Sequence, residues 1–309
     1  MKLLIELPTW LGDAVMSTPA IENILNCYPN ARVSLIGSKA SLDVFKEHPL
    51  ILKTYSCNKK YLSLLNFSRE LGEYDIFFTF RSSFRSMIFK IMLSSKKKYR
   101  FSSSLNPNLH QVERYNEFVN NSLNLKNPAS NLVIHSKKTF NSKGIKKTLG
   151  INPGASYGDA KRWSPLEFAK VAIELSSKFD IKIFGSKGES KIAEEIENIL
   201  VKNKISNYKN LAGQTDISEL ISHISGLDLF ITGDSGPMHI ASSFQIPTIA
   251  IFGPTEDKYT SQWMNLKSEV VKTNLDCQPC MKRVCPLKHN NCMNFIKAEK
   301  VIETVDKIT

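Results

Sequence analysis

Short apolar runs alternate with stretches of helical period from the first residues onward. Residues 2–7 (KLLIEL) read as a buried strand and 14–28 as a helix, while 31–37 (ARVSLIG) and 74–80 (YDIFFTF) read as further strands. Helical patterns over 40–47, 60–72 and 83–93 fall between or after them. From Leu125 to Lys147 the chain turns polar, with Asn-Pro, Asn-Ser and Lys-Gly pairs, the composition of a linker or hinge. The alternation then restarts: strands at 148–152, 181–185, 228–232 and 247–252, helices from Ser164-Pro165 to Lys178, over 189–203 and 216–224, and a short helix from Pro237. Such alternation implies parallel sheets covered by helices on both faces. Its restart implies two Rossmann-like, doubly wound α/β domains, 1–143 and 144–309, facing a cleft. Open parallel sheets bind ligands beyond the carboxyl ends of their strands, so functional residues are expected just after strands.

A length of 309 residues suits two cores better than one, and 42% hydrophobic residues can fill both. No stretch approaches the ~18 apolar residues of a membrane span, and the start has no signal-peptide layout, so the expectation is a cytoplasmic chain. Forty-one Lys and Arg against twenty-nine Asp and Glu leave a net charge of +12. That favours nucleic acid, phosphorylated lipid surfaces or phosphorylated small molecules as partners.

The strings that carry chemistry sit where the sheets predict. Pro8-Thr9-Trp10-Leu11-Gly12-Asp13 follows the first strand, and Asp13 is either a general base or a helix cap. Asn152-Pro153-Gly154-Ala155-Ser156-Tyr157, followed by Lys161-Arg162, places hydroxyls and cations before a helix, which suits a phosphate-bearing ligand. Thr232-Gly233-Asp234-Ser235-Gly236-Pro237-Met238-His239 joins a strand to a helix, a turn able to hold an anion on its N–H groups. Between Arg81 and Phe101 lie seven basic residues and no acid, with Phe84, Met87, Ile88, Ile91 and Met92 at helical spacing. That stripe either packs into the core or meets an anionic membrane, with Arg81, Arg85, Lys96, Lys97 and Lys98 around it. Cys277, Cys280, Cys285 and Cys292 begin with one C-x-x-C, and His289 stands among them. They lack the paired knuckle spacing of a strong zinc motif, so structural zinc competes with free thiols. No G-x-G-x-x-G follows a strand, which disfavours a dinucleotide dehydrogenase. Aromatic residues are not interleaved with the basic run, which disfavours a nucleic-acid binder.

Together these strings, with NLAGQTDISEL, IPTIAIFGPT and CQPCMKRVCPLKHNNC, resemble the ADP-heptose:lipopolysaccharide heptosyltransferases, nearest the heptosyltransferase II branch. The resemblance spans nearly the whole chain in order. It implies a GT-B glycosyltransferase that inverts the anomeric centre without an obligatory metal, with donor ADP-heptose held by the second domain. The acceptor it implies, a phosphorylated lipid A core, would be held by the first domain at the cytoplasmic face of the inner membrane. It further implies that Asp13 is the base, that Lys161 steadies the departing diphosphate, and that Glu189 contacts the ribose. Ser156, Tyr157, Asp234, Ser235, Gly236 and His239 would contact the rest of the donor.

Overall fold

The computed structural model describes residues 1–57, 64–136 and 146–308. Contacts divide the chain into two units, Met1–His135 and Ser136–Thr309. The boundary expected at 143/144 lies outside the described residues, as do the first residues of the helix expected at 60–72.

The first unit runs β1 (Lys2–Glu6), α1 (Leu11–Met16), α2 (Thr18–Cys27), β2 (Arg32–Gly37), α3 (Lys39–Asp43), β3 (Ile51–Ser56), α4 (Leu64–Leu71), β4 (Tyr74–Thr79), α5 (Phe84–Met92), β5 (Ser95–Arg100) and α6 (Gln111–Leu123). Its five strands are parallel in the order β3-β2-β1-β4-β5. A strand covered on both faces has no need to alternate. Leu3, Leu4 and Ile5 of β1 are accordingly all 0% exposed.

The helix expected over 14–28 is two helices. Pro19 has no N–H to give the Val15 carbonyl, and the Thr18 hydroxyl donates to that oxygen instead at 2.8 Å, so the ladder breaks at Ser17. The basic run also divides differently from its pattern. Lys96, Lys97 and Lys98 form the edge strand β5, whose register pairs Ile76 with Lys97 and Thr79 with Arg100. Lysines on an edge strand discourage pairing with a second chain. Lys96 is bound to Asp75 at 2.7 Å, and Lys98 Nζ donates to the Ile91 carbonyl at the end of α5. The apolar stripe of α5 is not in the core. Ser86 and Phe89 are buried with Leu93, whereas Phe84 and Ile91 are 64% and 71% exposed and Met87 and Met92 are also exposed.

The second unit runs β6 (Lys147–Asn152), α7 (Pro165–Leu175), β7 (Phe179–Ile183), α8 (Ser190–Lys202), β8 (Tyr208–Asn210), α9 (Ile217–Ile224), β9 (Leu229–Gly233), α10 (Gly236–Ser243), β10 (Thr248–Ile251), α11 (Asp257–Thr260), β11 (Ser268–Val271), α12 (Asn291–Asn294) and α13 (Ala298–Ile308). Its parallel sheet has the order β11-β10-β9-β6-β7-β8. The last helix is stapled to α7: the buried Trp163 donates from Nε1 to Ile296 O at 2.9 Å, and Glu167 Oε2 accepts the Ala298 N–H at 2.8 Å. That carboxylate therefore satisfies a donor at the start of α13. In each sheet the strand order reverses beside its first strand, at β1/β4 and at β6/β9. Crevices form at such points.

Candidate active site

In the first unit Asp13 lies in the first turn of α1, which Trp10, not Asp13, N-caps. The capping alternative is thereby removed, and a half-buried carboxylate is left near the positive end of a helix. The Tyr115 hydroxyl, from α6, donates to Asp13 Oδ1 at 3.3 Å. Burial first, then the adjacent Asp13 charge, holds the Tyr115 phenol well above its ordinary range. It stays protonated and serves as a donor. Its ring is held against Phe101 and Phe80, with centroids 4.9 and 5.4 Å away.

Arg81 follows β4 but is turned inward. Its Nε donates to Leu7 O at 2.8 Å and its Nη1 lies 3.6 Å from Glu6 Oε1, with the side chain only 12% exposed. Burial raises the Glu6 carboxyl above its usual value, against the opposing pull of Arg81 and the Thr79 hydroxyl. Arg85 Nη2 donates to Cys57 Sγ at 2.9 Å. Neither arginine is a free membrane-facing cation, as the sequence pattern suggested, and Lys96 and Lys98 are engaged in their own unit.

In the second unit the turns after β6, β9 and β10 converge. Lys161, at the end of a short 3-10 segment (Asp159–Lys161), pairs with Asp234, and the Thr255 hydroxyl donates to the same Asp234 Oδ2 at 2.7 Å. Lys161 Nζ also lies 4.5 Å from the centre of the Tyr157 ring, a cation–π contact. Thr232 and Ser235 hydroxyls are 3.0 Å apart, and Asn152 Nδ2 lies 3.4 Å from each. Ser235 is the N-cap of α10, yet its side chain makes no capping bond. The start of that helix thus keeps backbone donors able to meet an anion. An ammonium and a helix N-terminus side by side suit a diphosphate.

Glu189, after β7, is buried with Oε2 accepting the Ser186 N–H at 2.7 Å. It rests on Gly154, where a β-carbon would stand 2.1 Å from the Glu189 carboxyl carbon. Only glycine leaves that space. Ser156 is exposed in the loop, whereas His239 is 3% exposed and belongs to the packing of α10. The Tyr157 hydroxyl donates to Met281 O at 2.9 Å. A broad groove of this unit, between α8 and β8 and lined by Glu194, Glu197, Lys204 and Lys209, includes none of these residues. They gather instead at the carboxyl ends of the strands. Sequence reasoning missed Tyr115 and Thr255. The second was within reach, since it stands just past a strand end.

Two clusters of metal-ligand types lie elsewhere. Glu22, His48 and His135 bring their ligand atoms within 4.8 Å of one another. However, His48 Nδ1 accepts the Leu50 N–H, so a neutral ring carries its proton on Nε2 and donates it to Glu22 at 2.8 Å. That nitrogen is not a metal ligand. The same reasoning sets aside His289, whose Nδ1 accepts the Asn291 N–H at 3.0 Å. Cys277, Cys280, Cys285 and Cys292 line one small cavity.

Two parallel doubly wound units, one with a carboxylate after its first strand and the other with a lysine-bearing turn beside a helix start, form the architecture that two-Rossmann glycosyltransferases share. The sequence pattern of glycosyltransferase family 9 (heptosyltransferase) matches residues 65–291, and the chain belongs to that family. It is 43% identical to the lipooligosaccharide heptosyltransferase 2 of Campylobacter jejuni serotype O:6, covering 100% of this chain and 99% of that one. The fold matches the structure of E. coli ADP-heptose lps heptosyltransferase II with a TM-score of 0.83 at 20% identity, covering 100% and 98%. It also matches E. coli heptosyltransferase WaaC with ADP at a TM-score of 0.77 and 13% identity, covering both chains fully. The two Rossmann-like domains expected from the alternation, and the GT-B class implied by the resemblance, are the fold found.

Proposed function

We propose that the chain is heptosyltransferase II of the lipopolysaccharide inner core, moving L-glycero-D-manno-heptose from ADP-heptose to the first core heptose. The observation that carries this reading is the Lys161–Asp234–Thr255 cluster at the start of α10, a diphosphate cradle in a chain so alike, end to end, to a lipooligosaccharide heptosyltransferase 2. A hydroxyl of the acceptor heptose attacks the anomeric carbon and gives its proton to Asp13. The bond from that carbon to the ADP oxygen breaks, and Lys161 with the α10 N-terminus receives the charge that develops on the diphosphate. Inversion follows from a single displacement. The test is transfer from ADP-heptose to core acceptors carrying zero, one or two heptoses. Product only with the one-heptose acceptor supports the reading, and product only with another acceptor replaces it with a sister transferase.

Tyr115 gives this reading a pH signature. A donor to the ionised carboxylate lowers its pKa, so Tyr115→Phe raises that of Asp13. The acid limb of the kcat profile then moves about one to two pH units higher, the worth of one hydrogen bond to a charge, with kcat above both limbs little changed. An unmoved limb removes Tyr115 from the mechanism.

Location at the inner membrane is part of the same proposal, supported by the outward stripe of Phe84, Met87 and Ile91 on α5, flanked by Lys90 and Lys97. Among the described residues no helix is long and apolar enough to cross a membrane. The expected result is sedimentation with anionic but not zwitterionic vesicles, reduced by about tenfold in Phe84→Ser/Ile91→Ser. Equal sedimentation of this variant and the parent overturns docking through α5.

A further inference from the structure

The segment from Lys272 to Asn290 contains no helix or strand, yet it is tied to the loop that carries Tyr157 and Lys161. Tyr157 donates to Met281 O, and the Ala160 N–H donates to Arg283 O at 3.1 Å. Arg283 covers the Tyr157 ring face at 5.3 Å, and a β-carbon on Gly158 would stand 2.4 Å from Arg283 O. On its other side the segment is held by Met281 N–H to Pro254 O at 2.8 Å, and by Gln278, which donates to Gly253 O at 2.8 Å. The segment thus braces the Lys161 loop against the turn after β10. What holds the brace itself is the question, since a stretch without regular structure has little apolar packing of its own.

Four of its neighbouring side chains answer in one way. Cys277, Cys280, Cys285 and Cys292 line one cavity with Ala160, the residue before Lys161. Backbone N–H groups of Asn290, Leu287, His289 and Lys288 are directed at the Cys285 sulfur. Cys292 is anchored at the start of α12 and buried, while the other three are half-buried. The spacing, C-x-x-C followed by single cysteines five and twelve residues beyond Cys280, differs from a two-knuckle finger but supplies four soft ligands around one space. The sulfurs are not among the described groups whose ligand atoms lie within 4.8 Å of one another. Three of the four stand on the irregular segment and the fourth at the start of α12, so binding one ion requires the segment to close towards α12.

We propose that Cys277, Cys280, Cys285 and Cys292 bind one thiophilic divalent cation, zinc or ferrous iron, and that this ion sets the Tyr157–Lys161 loop for the donor diphosphate. Metal binding stands on the cysteines alone. Its coupling to the donor rests on the function proposed above.

The experiment takes the full chain as purified and measures zinc and iron by plasma mass spectrometry, with thiol titration before and after chelation. One ion per chain is expected, with four thiols becoming reactive only after its removal. Cobalt added to the stripped protein gives thiolate charge-transfer and tetrahedral visible bands, which Cys277→Ser/Cys280→Ser lacks. Less than about one-fifth of an ion per chain, no cobalt bands and all thiols reactive in the parent protein overturn the site, whatever the variant's folding. ADP affinity is then compared for loaded, stripped and reloaded parent protein. Stripping is expected to weaken ADP by about tenfold, the cost of ordering one or two side chains, with recovery on reloading. Unchanged ADP affinity overturns the coupling while leaving the site. Failure of the loaded protein to bind ADP overturns the donor assignment and with it the coupling.

Discussion

Asp13→Asn abolishes most heptose transfer, lowering kcat by about 10²- to 10⁴-fold, the range that a positioned general base supplies. The amide is the same shape as the carboxylate and can still accept from Tyr115, so the helix start and the aromatic cluster of Phe80, Phe101 and Tyr115 are expected to keep their packing. What is lost is the ability to take a proton. The proposed donor contacts all lie in the second unit, so ADP binding by calorimetry should match that of the parent. A variant that transfers heptose at close to the parent rate ends the assignment of Asp13 as base. A variant that loses ADP binding as well shows a wider structural effect, and Asp13 then has another role.

Lys161→Met has two separable consequences. The first is catalytic: removing the ammonium proposed to meet the departing diphosphate is expected to cost about 10²- to 10³-fold in kcat, as for other single electrostatic donors. The second is structural. Asp234 is 7% exposed, and without Lys161 its charge keeps Thr255 but loses its cation. Stranding one member of a buried pair costs about 3–5 kcal/mol, which for a chain of this size appears as a fall of several degrees in Tm. The double variant Lys161→Met/Asp234→Asn removes both charges and is expected to recover most of the Tm without recovering kcat. Recovery of both would show that Lys161 acts only through the stability of the turn.

How much of this was legible before the structure depended on where each element sits. β1, β4, β6 and β9 are central strands covered on both faces, and their unbroken apolar runs announce them. β5 (SKKKYR) and β8 (YKN) are edge strands whose sequences look like solvent-exposed loops. Pairing with a neighbour makes them strands, and no local pattern records a neighbour. The α5 stripe misled in the opposite direction: helical spacing of Phe84, Met87 and Ile91 is the same whether the face points inward or outward. In the site, Lys161, Asp234 and Ser235 stood out because their turns follow strands. Tyr115 did not, since it lies 102 positions from Asp13 and reaches it only through the packing of α6 on α1.

The contact between Gly154 and Glu189 constrains how this chain can change over generations. A β-carbon at 154 would fall 2.1 Å from the Glu189 carboxyl carbon, which is inside bonding contact distance for unbonded atoms. Any other residue at 154 therefore requires the Glu189 carboxylate to shift from its present place. The two positions belong to different strand-end turns but are coupled: a lineage that enlarges the first must turn the second's carboxylate away from the Ser186 N–H or shorten it. In an alignment they would be read as a covarying pair, with glycine opposite the long acid and a larger residue admissible only beside a smaller partner.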